Sequence, residues 1–236
     1  MAALKTIGLL GGMSWESSQI YYQQLNRLIN QHLGGLHSAP IIMINVDFAP
    51  LEKLLVAGDW SALEAQLSAH CQTLEQAGAD CLVLATNTMH QLADELEQAI
   101  NIPLLHIADS VGQVLQQKNI NKVGLLGTAF TMKGQFYRER LAQKFAIESV
   151  IPEEAEIIST NDIIFNELCH GKLLEASKAH YLTVVEQLAS KGAQAVVLGC
   201  TEIGLLIQQA DTDTPLIDAT HTHIEAAATF ALSGVS

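Results

Sequence analysis

Two short segments hold the residues best suited to moving a proton: Thr86-Asn87-Thr88-Met89-His90 and Cys200-Thr201-Glu202. Each follows an apolar run rich in β-formers, residues 81–85 in one case and 195–199 in the other. In open parallel sheets ligands bind beyond the carboxyl ends of the strands, which is where these segments fall. A thiol in such a place is an acid/base candidate. At the start of a following helix, peptide dipoles and free N–H groups favour thiolate, so the placement predicts a Cys200 pKa below the ordinary ~8.5. A lone free cysteine is more often a small buried hydrophobe. Cys200 differs from Cys81, inside a strand, and from Cys71 and Cys169, on amphipathic helical stretches, because it stands at a strand end followed by Thr201 and Glu202.

Asn87, Thr88 and Thr201 bring short amide and hydroxyl groups to loops with exposed N–H donors, a set able to hold a carboxylate without a large cation. The same residue types are preferred helix N-caps, and one residue can do both. The loop Gly11-Gly12-Met13-Ser14-Trp15-Glu16-Ser17 also leaves a strand for a helix; its glycines let backbone approach a ligand, with Met13 as the contact candidate. Its counterpart, Gly127-Thr128, adds the Thr128 hydroxyl. Gly8, Gly11 and Gly12 do not make G-x-G-x-x-G and no P-loop Lys-Ser/Thr follows, so nucleotide binding is unsupported. His221 and His223 lack an evident third ligand, and no metal site is expected. His90, one turn beyond Thr86, could orient a ligand group, but the expectation is a solvated helix residue. Lys53, Arg138 and Arg140 could meet a distal carboxylate, yet each is expected at the surface.

Positioning these groups requires strands that end at the right place. Short β-rich runs at residues 6–10, 41–46, 81–85, 104–107, 122–126, 149–151, 195–199 and 216–217 alternate with helical stretches at 16–33, 60–77, 90–100, 131–145, 174–191 and 220–232. That alternation predicts an α/β fold of parallel sheets wrapped in helices. The chain also matches itself. Lys5-Thr6-Ile7-Gly8-Leu9-Leu10-Gly11 aligns on Asn121-Lys122-Val123-Gly124-Leu125-Leu126-Gly127, with Tyr21 on Tyr137 at the same spacing. Gly78-Ala79-Asp80 through Thr86 aligns on Gly192-Ala193-Gln194 through Cys200. Two matches in the same order argue for a duplicated unit rather than chance. Duplication predicts two similar halves, 1–108 and 109–218, related by a pseudo-two-fold, with helix 219–236 packing back on the first. Thr86 and Cys200 are then equivalent, and the cleft between the halves is the expected pocket.

Composition narrows the partners. The 236 residues carry 12 Lys and Arg against 25 Asp and Glu, a net charge of -13 that disfavours nucleic acid and anionic lipid. No apolar run approaches the ~18 residues of a membrane span, and the chain opens into a strand-like run, so a cytoplasmic protein is expected. The four cysteines are dispersed without C-x-x-C pairing, which points to reduced thiols.

Taken together, the motifs Gly11-Gly12-Met13-Ser14-Trp15-Glu16-Ser17, Thr86-Asn87-Thr88-Met89-His90 and Gly199-Cys200-Thr201-Glu202 resemble those of the aspartate/glutamate racemase family, and the resemblance runs along essentially the whole chain. It implies two pseudo-symmetric α/β domains, a small amino-acid substrate, no cofactor (neither pyridoxal phosphate nor metal), and a homodimer. In such racemases two cysteines flank the α-carbon, one removing the proton as thiolate and the other returning one from the opposite face. Cys200 matches the second. Where the family has Cys-Asn-Thr, this chain reads Thr86-Asn87-Thr88, so one acid/base group is a hydroxyl, acting directly or through a relay. Aspartate or glutamate is the substrate the resemblance implies. Two other readings keep the fold: a small-dicarboxylate isomerase or decarboxylase, and a non-catalytic carboxylate-binding relative.

Overall fold

The computed structural model describes residues 3–235, so the outer limits of the expected halves, at 1 and 236, lie outside the described residues. The chain forms two parallel sheets. The first, of three strands, has the order β2-β1-β3, with β1 Ile7–Gly11, β2 Ile41–Asn45 and β3 Cys81–Leu84. The second, of four, has the order β5-β4-β6-β7, with β4 Lys122–Leu126, β5 Glu148–Val150, β6 Ala195–Leu198 and β7 Leu216–Asp218. Helices join them as the alternation predicts: α1 Trp15–Leu33, α2 Phe48–Ala57, α3 Trp60–Gln76, α4 Ala93–Ala99, α5 Ile107–Gln117, α6 Ala129–Lys133, α7 Gln135–Phe145, α8 Glu154–Asn166, α9 Glu175–Ser190, α10 Ile203–Leu206 and α11 Ala219–Leu232.

Three expected elements differ. The strand expected at 104–107 is a single bridge from Leu104 to Leu82, because Ile107 already opens α5, whose buried Ile107, Ala108, Val111 and Leu115 claim the chain for a helix. The helix expected over 131–145 is broken at Gly134, whose extended backbone ends α6 and starts α7. The stretch 90–100 begins as a 3-10 turn, Thr88–Leu92, before α4.

Contacts divide the chain into two compact units, Met1–His106 with His223–Ser236, and Ile107–Thr222. In each, the central strands are buried on both faces, which explains their near-continuous apolar sequence. Alternate residues serve opposite faces. In the first unit Leu10, Leu82 and Leu84 join the cluster of Leu63, Leu67 and Leu74 from α3. On the other face Ile7, Leu9, Cys81 and Val83 join Leu25 and Ile29 of α1 and Ile224, Ala227 and Ala231 of α11. In the second unit Leu126, Val196 and Leu198 pack with Tyr181, Val185 and Leu188 of α9, while Val123, Leu125 and Val197 pack with Val111 and Leu115 of α5 and Leu141 of α7. Each fully buried aliphatic side chain stabilises by about 1.5–3 kcal/mol relative to exposure.

The two sheets repeat one register. Ile7 pairs with Cys81 and Gly8 with Leu82; Val123 pairs with Ala195 and Gly124 with Val196. Both third strands are entered through a left-handed glycine, Gly78 (φ +98°) or Gly192 (φ +90°). Next comes a residue whose side chain accepts from the neighbouring strand, Asp80 from the Thr6 N–H at 2.6 Å and Gln194 from the Lys122 N–H at 3.2 Å. Both strands are left through matching bonds, Ala85 N–H to Leu10 C=O at 2.9 Å and Gly199 N–H to Leu126 C=O at 2.6 Å. Thr86 and Cys200 are each one residue beyond that last anchor.

Candidate active site

The loop after β1 is built around a close approach. Gly12 has φ +93°, and a Cβ there would fall 2.2 Å from the Val46 carbonyl oxygen. Its N–H donates to Ser18 Oγ at 2.8 Å, and Ser14 caps α1 by accepting from the Ser17 N–H at 3.1 Å. Met13 is buried in the apolar cluster that includes Leu10, Leu51 and Leu84.

The loop after β3 holds Thr86, half-buried, then Asn87 and the 3-10 turn that starts at Thr88. Asn87 stands at the cap position yet makes no capping bond; it is 8% exposed, and its Oδ1 is buried without a hydrogen-bond partner. An unsatisfied buried oxygen costs about 1–3 kcal/mol, which a ligand donor would relieve. His90 is not the solvated residue expected: it is 2% exposed, because its Nδ1–H donates back to the Thr86 carbonyl at 2.8 Å and its ring lies 4.6 Å from that of His106 and 5.6 Å from that of His223. A carbonyl can only accept, so the His223 Nε2–H donates to Leu105 C=O at 2.6 Å. The remaining Nδ1 of His223 therefore accepts the Tyr21 O–H at 2.8 Å. Burial pushes His223 down to about 4, against a smaller opposing effect of the Leu105 bond, and keeps the ring neutral.

The loop after β6 places Cys200 half-buried, with its Sγ–H donating to Glu202 Oε2 at 2.9 Å. The predicted low thiol pKa is overturned. Burial, and then the negative field and hydrogen bond of Glu202, hold the thiol well above its ordinary range. The following helix, α10, has only four residues and cannot sum the dipoles that a lowered pKa requires. Thr201 Oγ1 lies 3.2 Å from Thr220 Oγ1. Thr128 caps α6, accepting from the Thr131 N–H at 3.3 Å. Burial raises the Asp218 carboxyl at the end of β7, where Oδ1 accepts from the His221 N–H at 3.0 Å.

The expected surface cations are placed differently from one another. Lys53 is exposed. Arg140 is partly buried, because it forms a two-point bridge to Asp109 at 2.5 and 2.8 Å, with Lys144 adding a third contact at 2.9 Å. Arg138 is half-buried, and its Nε has no hydrogen-bond partner. Among the described residues no group of three His, Cys, Asp or Glu is arranged to hold a metal. Sequence reasoning passed over Glu202, His106 and the Tyr21–His223 pair as site neighbours. Only Glu202 carried a signal, as a carboxylate two residues after a strand-end thiol.

Fold and loops define a parallel α/β protein in which matching strand ends of two like sheets present a hydroxyl and a thiol. The chain belongs to the Asp/Glu/Hydantoin racemase family, which it matches over residues 10–227. It is similar to the broad specificity amino-acid racemase of Bacillus subtilis, with 25% identity over 146 residues, and the match spans 62% of each chain. Among solved structures it resembles one from Yersinia pestis provisionally designated an Asp/Glu racemase, at 45% identity and TM-score 0.93, covering 97% of this chain and 100% of that one. It also resembles an aspartate racemase homologue from Pyrococcus horikoshii OT3, at 30% identity and TM-score 0.84, covering 97% and 99%.

Proposed function

We propose that the protein inverts the α-carbon of a small acidic amino acid, aspartate or glutamate, by proton transfer through Cys200 on one face and Thr86 on the other, without a cofactor. Family membership supports the reaction class, and the designations of the similar proteins support an amino-acid substrate. The observation that carries the residue assignment is the repeated register, which puts a hydroxyl and a thiol at equivalent strand ends. The neighbouring Asn87, Thr88, Thr128 and Thr201 hold the substrate's polar groups, with Met13 against its apolar part; the orphaned Asn87 amide favours that role. A homodimer in the cytoplasm belongs to the same reading.

The two acid/base groups are unequal. A threonine hydroxyl is far less acidic than a thiol, so Thr86 exchanges its proton slowly or through a water relay, and turnover is low. Enantiomers have equal free energies, so kcat/KM is the same in both directions while kcat and KM differ between them in compensation.

The test is isotopic. In deuterated water the protein exchanges the α-proton of aspartate or glutamate and changes its chirality without changing its carbon skeleton. Cys200→Ala removes the exchange and keeps the fold; exchange that survives this substitution overturns the assignment. Loss of carbon dioxide or formation of a double-bond isomer would replace racemisation with one of the related reactions.

A further inference from the structure

The duplication extends past the third strand of each sheet, where Pro103-Leu104 aligns on Pro215-Leu216. Leu104 bridges Leu82 and Leu216 pairs with Val196. The two proline carbonyls accept from the Leu82 N–H at 2.9 Å and the Val196 N–H at 2.8 Å. Two residues beyond each leucine, His106 and Asp218 are therefore equivalent. Each meets the residue four places after a strand-end reacting group. The His106 ring lies 4.6 Å from that of His90, which holds the Thr86 carbonyl. The Asp218 carboxylate lies against Gly204, where a Cβ would fall 2.8 Å from Oδ2. Gly204 sits in α10 and has no left-handed backbone, so space rather than conformation is what asks for glycine.

We infer that Asp218 is a positioning residue for Cys200, its carboxylate fixing the start of α10 and with it the loop that carries the thiol. The inference rests on the reading of Cys200 as an acid/base group. A helix of four residues cannot hold itself in place, so that loop needs outside anchors. Upstream the anchor is the Gly199 N–H, bonded to the Leu126 carbonyl at 2.6 Å. Downstream it is Asp218. Its Oδ1 caps α11 by accepting from the His221 N–H at 3.0 Å, which leaves Oδ2 to bear on Gly204. Thr201 Oγ1, 3.2 Å from Thr220 Oγ1, ties the middle of the loop to the same junction. Capping alone does not ask for this placement. Asp47 and Asp59 cap α2 and α3 from exposed positions, whereas Asp218 is withdrawn from water far enough for burial to raise its carboxyl. One carboxylate thus joins the end of β7, the first turn of α11 and the helix that follows the thiol.

The experiment measures racemisation and α-proton exchange of aspartate and glutamate in deuterated water, together with melting temperatures. Serine caps a helix as well as aspartate does but is too short to reach Gly204. In Asp218→Ser, kcat and kcat/KM therefore fall together by about tenfold or more, since a reacting group displaced by ~1 Å can lose 10²-fold. Asp218→Asn keeps both the cap and the reach, and retains most of the turnover. Gly204→Ala improves helix propensity but drives Oδ2 away, so turnover falls about tenfold or more at an undiminished melting temperature. The double variant Gly204→Ala/Asp218→Ser loses no more than the worse of its parents, because both disturb one contact. A merely capping role predicts full turnover in Asp218→Ser and in Gly204→Ala, and either result overturns the inference. Losses that multiply in the double variant overturn it too, as does Asp218→Asn falling as far as Asp218→Ser. If Asp218→Ser does not fold, Gly204→Ala and Asp218→Asn decide. Turnover lost in the first at an unchanged melting temperature and kept in the second supports the inference; turnover kept in the first, or lost along with stability, overturns it. Exchange absent from the native chain, or surviving Cys200→Ala, brings down the racemase reading and this inference with it. Exchange lost in Cys200→Ala but kept in Gly204→Ala brings down the role of Asp218 alone.

Discussion

The imidazole of His90 donates its Nδ1–H to the main-chain carbonyl of Thr86 at 2.8 Å, and so ties the loop after β3 to a buried group of aromatic and imidazole rings. His90→Ala removes that donor and opens a gap beside His106 and His223. The expected loss of stability is about 2–4 kcal/mol, measured by urea denaturation. His90→Asn, whose amide can still donate at short range, retains more stability and more α-proton exchange than His90→Ala.

His223 makes stability depend on pH. Its folded pKa of about 4 lies below the unfolded 6.5, so between these values the unfolded chain binds more protons. The stabilisation is complete above pH 6.5 and is lost as pH falls towards 4, an effect on the order of 3 kcal/mol. Thermal melts across this interval show a steep decline for the native chain and a shallower one for His223→Gln. Equal slopes would refute the assignment.

Asp109 responds in the opposite balance of forces. Burial acts to raise its carboxyl, but hydrogen bonds from Arg140 and Lys144 outweigh burial and leave it below its usual range. Its contribution is therefore present at neutral pH and lost in acid as the carboxyl protonates. Arg140→Met costs about 1–3 kcal/mol at neutral pH, and Arg140→Lys recovers only part, since an ammonium cannot bridge two oxygens in one plane. Denaturant midpoints for the two variants decide the point.

Thr86→Ala separates exchange from inversion. On the proposed two-face assignment Cys200 alone still exchanges the α-proton of one enantiomer with retention of configuration, while racemisation falls at least about 10²-fold. Deuterium uptake read by mass spectrometry and chirality read by chiral chromatography report the two independently. Exchange of both enantiomers at equal rates contradicts the two-face assignment.

Gly12→Ala tests the first loop. A Cβ there meets the Val46 carbonyl oxygen at 2.2 Å and nitrogen at 2.4 Å, on a backbone with φ +93°. Both neighbours are main chain and cannot rotate away. The expected cost is about 3 kcal/mol or more, read by chemical denaturation.

Much of this was legible in the sequence, for physical reasons. Strands covered on both faces must be apolar throughout, so 81–85 and 195–199 announced themselves. Duplication left matching letters at Gly78 and Gly192, because each chain reversal needs a left-handed backbone. What stayed hidden depends on contacts between distant residues. The burial of His90 follows from packing against His106 and His223, which no periodicity encodes. The thiol of Cys200 was misjudged because the length of α10 and the rotamer of Glu202 decide its field, and a dipeptide spacing fixes neither.

Asp80 and Gln194 hold the same backbone N–H groups in place although one is charged and the other neutral. Main-chain geometry at the strand entrances therefore survives a change of chemical character in the side chain that secures it. A scaffold anchored in this way lets evolution, or an engineer, rewrite the reactive ends of one copy while the other copy continues unchanged. Transplanting Cys-Thr-Glu into the loop after β3 would ask for new chemistry without asking for a new fold.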